Sequence, residues 1–190
     1  MRSVVLPIVG ITVIAFFLQM LFGRPFTELF LLDQSRVWFE PWRLLTAVFM
    51  HGGLSHLFFN MFGLFIFGPI LEERIGPKRF LMLYVGAGLI ASLAAAMLYP
   101  FSLGASGAIF GMLGALIVLL PRLQILFFFV IPMPLWVAGI VWVAFDTFGL
   151  FFPTGIASAA HLAGMAVGLA VGYYIKKTEP MPTRMHGYQY

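Results

Sequence analysis

Long apolar stretches with almost no charge are the feature that most limits how this chain can fold. Six lie between charged residues and Pro or Gly breaks, at 4–22, 54–71, 80–100, 105–120, 125–151 and 156–175. A bilayer core about 30 Å thick is crossed by roughly 20 mainly apolar residues in a helix. We therefore interpret the stretches as six spans of an all-α, polytopic membrane protein. The fifth is long enough to include an interfacial turn at Pro132 and Pro134.

The composition excludes several other classes of protein. Only 9% of the 190 residues are charged, whereas a soluble domain is about a quarter charged. The net charge of +4 comes from only eleven Lys and Arg, too few for a basic nucleic-acid-binding face. No cysteine is present, so a disulfide, a thiol nucleophile and a thiolate metal site are all excluded. The expected partner is a lipid bilayer, not a nucleic acid.

The positions of the basic residues predict how the spans are oriented. The first stretch follows Arg2 as a signal peptide would, but it is 19 residues long and lacks a small-x-small cleavage site, so we expect a retained span. Six spans leave both termini on one side. Eight basic residues then share that side and three lie opposite: Arg2, Arg74, Lys78, Arg79, Arg122, Lys176, Lys177 and Arg184 against Arg24, Arg36 and Arg43. This asymmetry predicts a multi-pass cell-membrane protein with cytoplasmic termini.

Two segments lie outside the predicted spans. The long outer connection, 23–53, contains Trp38 and Trp42 among charges and short apolar runs, a composition that suits the headgroup region. We expect it to be a partly helical loop in the outer interface. The membrane domain then covers 1–177, and 178–190 forms a cytoplasmic tail.

The strongly polar residues inside the spans lie in one shallow layer. They are His56, Asn60, Ser106, Asp146 and His161. A lone Ser, His or Asn in a span is more often a structural hydrogen-bonding group than a chemical one. At about 1.5 Å of rise per residue, however, Asn60 lies roughly 9 Å and His161 roughly 8 Å below the outer surface, with the others at a similar level. A shared depth indicates a functional site.

These residue types suit acyl transfer. A serine hydroxyl becomes a nucleophile when a histidine accepts its proton, and donors must then stabilise the oxyanion. His56 and Asn60, four residues apart, project from one helix face. Ser106 is flanked by Gly104 and Gly107 at a predicted helix start, which presents unpaired N–H groups.

Small residues predict that the helices of Ser106 and His161 pack closely. One face of the fourth span carries Gly107, Gly111 and Gly114, and the sixth repeats small residues at Ala160, Gly164, Gly168 and Gly172. Such faces let helix backbones approach. Because Ser106 and His161 stand at the outer ends of these faces, we expect them within hydrogen-bond range.

The motifs, in this order, resemble those of the rhomboid family of intramembrane serine proteases. They are Trp42-Arg43, His51-Gly-Gly-Leu-Ser-His56-Leu-Phe-Phe-Asn60, Glu72-Glu73-Arg74-Ile75-Gly76, Gly104-Ala-Ser106-Gly107 and Ala160-His161-Leu-Ala-Gly164. The resemblance covers nearly the whole chain. It implies a compact six-helix bundle that hydrolyses peptide bonds in or near transmembrane segments of other membrane proteins, with no cofactor and no metal.

The resemblance also implies a role for each matching residue. Ser106 is the nucleophile, His161 is the general base and then the general acid, and His56, Asn60 and the Ser106 N–H stabilise the oxyanion. Trp42 and Arg43 are implied to belong to the structural core of the outer loop, and Glu72, Arg74 and Gly76 to have structural rather than catalytic roles at the cytoplasmic edge. The bulky fifth helix, with Trp136, Phe145 and Phe148, is implied to be a lateral gate toward lipid.

Asp146, His51 and His186 are polar residues without a role among those implied for the matching motifs. Asp146 is expected to be a wet, loop-facing residue, with orientation of His161 as the lesser alternative. His51 is expected to hydrogen-bond within the outer loop, and His186 to be exposed in the tail.

The main alternative function is a catalytically inactive rhomboid-like protein that binds membrane clients. A small transporter is disfavoured because no inverted repeat is evident.

Overall fold

The computed structural model describes residues 3–127, 130–152 and 154–179. About 75% of these described residues are helical. The α-helices are α1 (Val5–Phe30), α2 (Arg43–Thr46), α3 (Leu54–Ile75), α4 (Pro77–Leu98), α5 (Ser106–Leu119), α6 (Leu135–Phe151) and α7 (Ser158–Thr178), with a 3₁₀ turn at Ala47–Phe49. Two antiparallel pairs of short strands accompany them: β1 (Leu32–Asp33) with β2 (Phe101–Ser102), and β3 (Gln124–Phe127) with β4 (Ile131–Pro134).

Helix length and hydropathy support a membrane protein. Within the described residues, four helices are long and apolar enough to cross a bilayer, namely α1, α3, α4 and α7. The two other apolar helices, α5 and α6, have 14 and 17 residues, and at about 1.5 Å per residue α5 is about 21 Å long. The count of six spans therefore stays a prediction. Large apolar side chains cover the outside of the bundle, as contact with lipid requires; examples are Phe17, Phe58, Phe65, Met82 and Tyr173.

The first helix is longer than the sequence indicated. The span 4–22 and the start of the loop at 23 correspond to one helical segment that continues to Phe30. Gly23 interrupts it with φ +68, a left-handed conformation that glycine adopts without steric cost. The helix therefore has a kink at Gly23, the residue at which the loop was predicted to begin.

The predicted fifth span, 125–151, divides into two structures. Residues of its first part form the β3–β4 hairpin, in which Gln124 pairs with Pro134 and Leu126 with Pro132. Proline lacks an N–H and clashes with the preceding helical turn, so two prolines two residues apart oppose a helix here. Only the part from Leu135 onward is helical. The expected interfacial turn is thus a strand hairpin.

The outer connection is partly helical, as predicted, and is fastened to the segment before Ser106. The end of α1, α2 and the 3₁₀ turn supply its helical parts. Leu32 pairs with Ser102 and Asp33 with Phe101 in the β1–β2 ladder. The Gly104 N–H donates to the Ala47 carbonyl at 2.9 Å. These backbone bonds hold the residues that lead into α5.

One member of the Trp42-Arg43 pair is misplaced by the sequence interpretation. Arg43 is only 1% exposed and donates to the carbonyls of Glu28 and Leu31 at 2.7 and 2.9 Å, and it pairs with the Glu40 carboxylate. Trp42, by contrast, is 51% exposed. The structural role in the loop's core therefore belongs to Arg43, while Trp42 lies on the surface, as an interfacial tryptophan does.

The centre of the bundle is α5, which contacts α3, α4, α6 and α7. The predicted close packing of α5 and α7 is confirmed. A Cβ added at Gly111 would lie 3.2 Å from the Gly164 carbonyl oxygen, and one at Gly114 would lie 2.5 Å from that of Met165. On its other side α5 meets small residues of α4, with Gly107 against Ala91 and Gly111 against Ala87. Glycines on α5 and α7 and alanines on α4 thus let the backbones of three helices approach closely.

Residues 180–190 lie outside the described part of the chain, so the predicted cytoplasmic tail and the exposure of His186 stay predictions.

Candidate active site

Ser106 is the first residue of α5, the central helix of the bundle. The backbone just before it is fixed by the Gly104 to Ala47 bond and has φ +123 at Gly104, a conformation that L side chains rarely adopt. As the first helical residue, Ser106 has an N–H with no acceptor one turn earlier in the helix. Its hydroxyl and its backbone N–H therefore stand at the same helix end.

Ser106 and His161 are brought together across the α5–α7 contact. The Ser106 Oγ lies 2.7 Å from Nε2 of His161, a normal hydrogen-bond length for these atoms. Phe110, one turn along α5 from Ser106, stacks on the imidazole with ring centroids 4.3 Å apart and an interplanar angle of 13°. The ring of His161 is thus held in plane while one nitrogen points at the serine hydroxyl.

Contrary to the prediction from the sequence, Asp146 does not face the loop and the solvent. It is 7% exposed, and its two carboxylate oxygens lie 3.1 and 3.2 Å from Nδ1 of His161. The expectation was wrong because Asp146 lies within α6, whose packing against α7 turns that carboxylate inward to the imidazole. The carboxylate thus contacts His161, as the lesser alternative, orientation of that imidazole, requires.

His56 stands close to Ser106 but on a different helix, near the start of α3. Its ring lies on Gly104, where an added Cβ would come within 2.8 Å of Nε2. The Gly52 N–H donates to Nδ1 of His56 at 3.3 Å. A nitrogen that accepts carries no proton in the neutral ring, so Nε2 bears the N–H. A side-chain donor is therefore presented beside the residues that precede Ser106.

Asn60 lies one helical turn below His56 and is buried. One of its amide N–H groups donates to the His56 carbonyl at 2.9 Å. Since the amide nitrogen has two N–H groups, the second is not used by this bond. His56, Asn60, Ser106 and His161 all line one cavity of about 1260 Å³. All four sequence-predicted site residues therefore face a common space.

His51 hydrogen-bonds within the outer loop, and a residue of α1 holds its backbone. Its Nδ1 lies 3.3 Å from the Phe49 carbonyl. Gln19 accepts from the His51 N–H at 2.9 Å and donates to the His51 carbonyl at 3.2 Å. Burial lowers the pKa of His51 to about 4, with repulsion from His56 adding to it. The turn that leads to His56 is thereby anchored to the first helix.

The opposite end of the bundle is fastened by ionic and capping contacts. Glu72 accepts from the Val4 N–H at 2.6 Å and from the Ser3 hydroxyl at 2.5 Å, so its carboxylate satisfies the start of α1. Arg79 and Glu179 form an ion pair at 2.5 Å between α4 and the end of α7. The structural role predicted for Glu72 is thereby given a physical basis at this edge.

The side of α6 away from the site carries the bulky residues of the predicted gate. Phe145 is 67% exposed, and Phe148 and Trp136 are exposed as well.

In the part of the chain that the structure describes, no three His, Asp or Glu side chains are grouped so that they could hold a metal ion.

Three contacts escaped the sequence interpretation. Phe110 could have been found, because it lies four residues from Ser106 and so shares its helix face. Gln19 is a polar residue in a span and carried a signal that was not used. Tyr99, whose hydroxyl accepts from the Ala159 N–H at 3.1 Å, joins α4 to the start of α7 and carried no local signal.

Comparison with known proteins identifies the family. The model of the rhomboid domain matches residues 39–178. Rhomboid protease GluP of Bacillus subtilis is 48% identical over 79 residues, which cover 41% of this chain and 16% of GluP. Rhomboid protein 1, mitochondrial, of Saccharomyces cerevisiae is 34% identical over 188 residues, covering 93% of this chain and 54% of the yeast protein.

A relative with a different description also matches. Inactive RHOMBOID-like protein 8 of Arabidopsis thaliana is 36% identical over 80 residues, covering 41% of this chain and 23% of that protein. The chain thus spans about half or less of the length of these relatives. Since the rhomboid domain model covers most of the 190 residues, from the outer loop to the end of α7, this chain belongs to the rhomboid family of membrane proteins.

Proposed function

We propose that this protein is an intramembrane serine endopeptidase that hydrolyses peptide bonds in or near the transmembrane segments of other membrane proteins through a Ser106–His161 dyad. The observation that carries the proposal is the distance of 2.7 Å between Ser106 Oγ and His161 Nε2. A serine hydroxyl bonded to a histidine nitrogen is the arrangement required for an activated nucleophile.

The reaction follows from the positions of the donors and acceptors. Ser106 Oγ attacks the scissile carbonyl carbon as its proton passes to His161 Nε2. The oxyanion that forms accepts hydrogen bonds from the Ser106 N–H, from His56 and from Asn60. His161 then returns the proton to the leaving amine, which breaks the peptide bond and leaves an acyl-enzyme. Water, activated by His161, hydrolyses the ester and regenerates Ser106.

The substrate has to unwind locally before it reacts. A carbonyl in a regular helix accepts a backbone hydrogen bond and is shielded by its own turn, whereas attack requires it beside Ser106. Helix-weakening residues in the substrate should therefore increase the rate of cleavage. The exposed bulky residues of α6 support a lateral entry for the substrate between that helix and the rest of the bundle.

The topology that accompanies this proposal has six spans in the cell membrane. Both termini then lie in the cytoplasm. Six apolar helices of 14 residues or more support the count. The Arg79–Glu179 pair joins two helix ends to which the same side was assigned, in keeping with the basic residues on that side.

The second candidate is a catalytically inactive rhomboid-like protein that binds membrane clients, a reading favoured by the similarity to a relative described as inactive. The presence of Ser106, His161, His56 and Asn60 around one cavity supports the protease instead. An inactive protein has no need for a serine hydroxyl aligned on an imidazole.

Labelling separates the two candidates. A fluorophosphonate should modify the wild-type protein in detergent, and both Ser106→Ala and His161→Ala should abolish modification and cleavage of a reconstituted transmembrane substrate. Ser102→Ala, which removes another hydroxyl before α5, is the matched control and should be labelled normally. Equal proteolysis by the wild type and Ser106→Ala would refute the protease.

A further inference from the structure

A buried carboxylate stands beside the proposed dyad without a part in its chemistry. Asp146 lies within the apolar helix α6 and has only 7% of its surface exposed. An acidic side chain inside a span is costly and marks a functional role unless another need explains it. Both of its oxygens lie within 3.2 Å of one nitrogen, Nδ1 of His161.

The position of this carboxylate determines which nitrogen of His161 holds the proton. An ionised carboxylate only accepts hydrogen bonds, so Nδ1, at 3.1 Å from Oδ1, must be the donor. A neutral imidazole has one N–H, which leaves Nε2 as an acceptor. Nε2 is the atom 2.7 Å from the Ser106 hydroxyl. The tautomer that faces Asp146 is therefore the one that can accept the serine proton.

We propose that Asp146 is a positioning residue that holds His161 in the tautomer and orientation required to accept the proton of Ser106, a role that rests on the proposed protease function. When His161 takes that proton, both of its nitrogens carry hydrogen. The carboxylate then stabilises the imidazolium and does not itself become protonated. No proton moves to Asp146, and no further reactant is involved.

The other contact of the imidazole leaves this role unfilled. Phe110 stacks on the ring face at 4.3 Å and 13°, which fixes the plane of the ring. A stacked aromatic face does not distinguish a protonated Nδ1 from a protonated Nε2. Selection of the tautomer therefore requires the acceptor at the ring edge, which is Asp146.

The test compares Asp146→Asn and Asp146→Ala with the neighbouring Thr147→Val. Asn keeps the size of the side chain but has an N–H that can donate to Nδ1 and so favour the wrong tautomer. Thr147 is exposed and bonds only to the Val143 carbonyl of its own helix among the contacts observed, so its replacement changes the same helix without touching His161. The variants are measured in detergent for kcat, KM, the rate of fluorophosphonate labelling and thermal unfolding.

The expected result is a loss confined to the chemical step. Asp146→Asn should lower kcat and the labelling rate by about tenfold or more, with the roughly 10⁴-fold loss known for the equivalent change in a soluble triad as the upper bound. KM should stay within about twofold, and the unfolding temperature should stay near that of the wild type. Thr147→Val should match the wild type in every measurement.

A spectroscopic readout makes the inference independent of activity. Nitrogen-15 chemical shifts of His161, assigned by their loss in His161→Ala, report which ring nitrogen is protonated at a pH where the ring is neutral. The wild type should show protonated Nδ1, and Asp146→Asn and Asp146→Ala should show a shift of population toward protonated Nε2. An unchanged tautomer in both variants would overturn the inference even if activity fell.

The outcomes separate this inference from the function on which it rests. If the wild type is labelled at Ser106 and Asp146→Asn is labelled as fast, the protease stands and the positioning role is refuted. If the wild type itself is not labelled, the protease fails, and the nitrogen-15 shifts still decide whether Asp146 selects the tautomer. A rate loss that only follows a fall in unfolding temperature would assign Asp146 a structural role and refute the proposal.

Discussion

The distance between Ser106 and His161 should be highly sensitive to the glycines between their helices, and Gly164→Ala tests this directly. Gly164 lies on α7, three residues after His161, and faces Gly107 of α5, the neighbour of Ser106. An added Cβ would overlap the Gly107 carbonyl group, lying 2.9 Å from its carbon. The nearest atoms are backbone, so no side chain can rotate away.

The size of the effect follows from this overlap. Carbon atoms in contact normally lie about 3.5–4.0 Å apart, so the two helices have to separate by on the order of 1 Å. The bond from Ser106 to His161, 2.7 Å long, would then exceed the range of a hydrogen bond. A displacement of this size at a reacting pair costs about 10²-fold in rate. Overpacking itself should cost about 1–3 kcal/mol of stability.

The assay measures the initial rate of substrate cleavage and the rate of fluorophosphonate labelling in detergent, beside the unfolding temperature. Gly86→Ala is the matched control, because it places the same methyl group in the span α4 at a position with nothing within 4 Å. That variant should keep full activity and gain a little stability from helix propensity, up to about 1 kcal/mol.

The reasoning would be refuted by a Gly164→Ala protein that folds and cleaves at the wild-type rate. It would equally be refuted if Gly86→Ala lost as much activity as Gly164→Ala, because the effect would then come from alanine in a span and not from the α5–α7 contact.

Two further predictions concern the donors and the loop around the site. Asn60→Ala should lower kcat by about 10²-fold with little change in KM, less than Ser106→Ala, because the Ser106 N–H and His56 remain as oxyanion donors. His51, with its pKa lowered by burial to about 4, should destabilise the protein in acid. Unfolded histidine titrates near 6.5, so its contribution is complete above that pH and is lost as pH falls toward 4.

Each of these has a decisive comparison. For Asn60→Ala, a loss equal to that of Ser106→Ala would show that the amide is not one donor among several. For His51, thermal unfolding is compared at pH 7.5 and pH 5 in the wild type and in His51→Gln, which does not titrate. A fall in unfolding temperature that is the same in both proteins would contradict the assignment.

Much of the site was predictable because its signals are local or periodic. His56 and Asn60 share a helix face by their spacing of four, and the glycines around Ser106 and along α7 are visible as small residues at helical intervals. The close packing that these glycines predicted is observed, since a Cβ added at Gly107, Gly111, Gly114, Gly164, Gly168 or Gly172 would come within 3.4 Å of the backbone of the facing helix. Span limits were less accurate. A kink at Gly23 and two prolines in the hairpin at 124–134 changed where helices begin and end.

Asp146 and Trp42 were misjudged because burial depends on contacts with other elements of the fold. The rotation of α6 about its axis is set by its packing on α7 and α5, and nothing in the local sequence tells whether position 146 faces those helices or the water above the site. Similarly, Arg43 is buried where it donates to the carbonyls of Glu28 and Leu31, while its neighbour Trp42 is exposed.

The sequence by itself determined that this chain enters a membrane, that its scarce polar residues share one layer, and that a serine and a histidine stand at the ends of two small-residue faces. Those properties follow from hydropathy and helical periodicity, which are set by residue order. Only the tertiary structure decided that Nε2 of His161 faces Ser106 while Nδ1 faces Asp146. That choice depends on how three helices are rotated against one another, and the rotation is the outcome of packing among all of them.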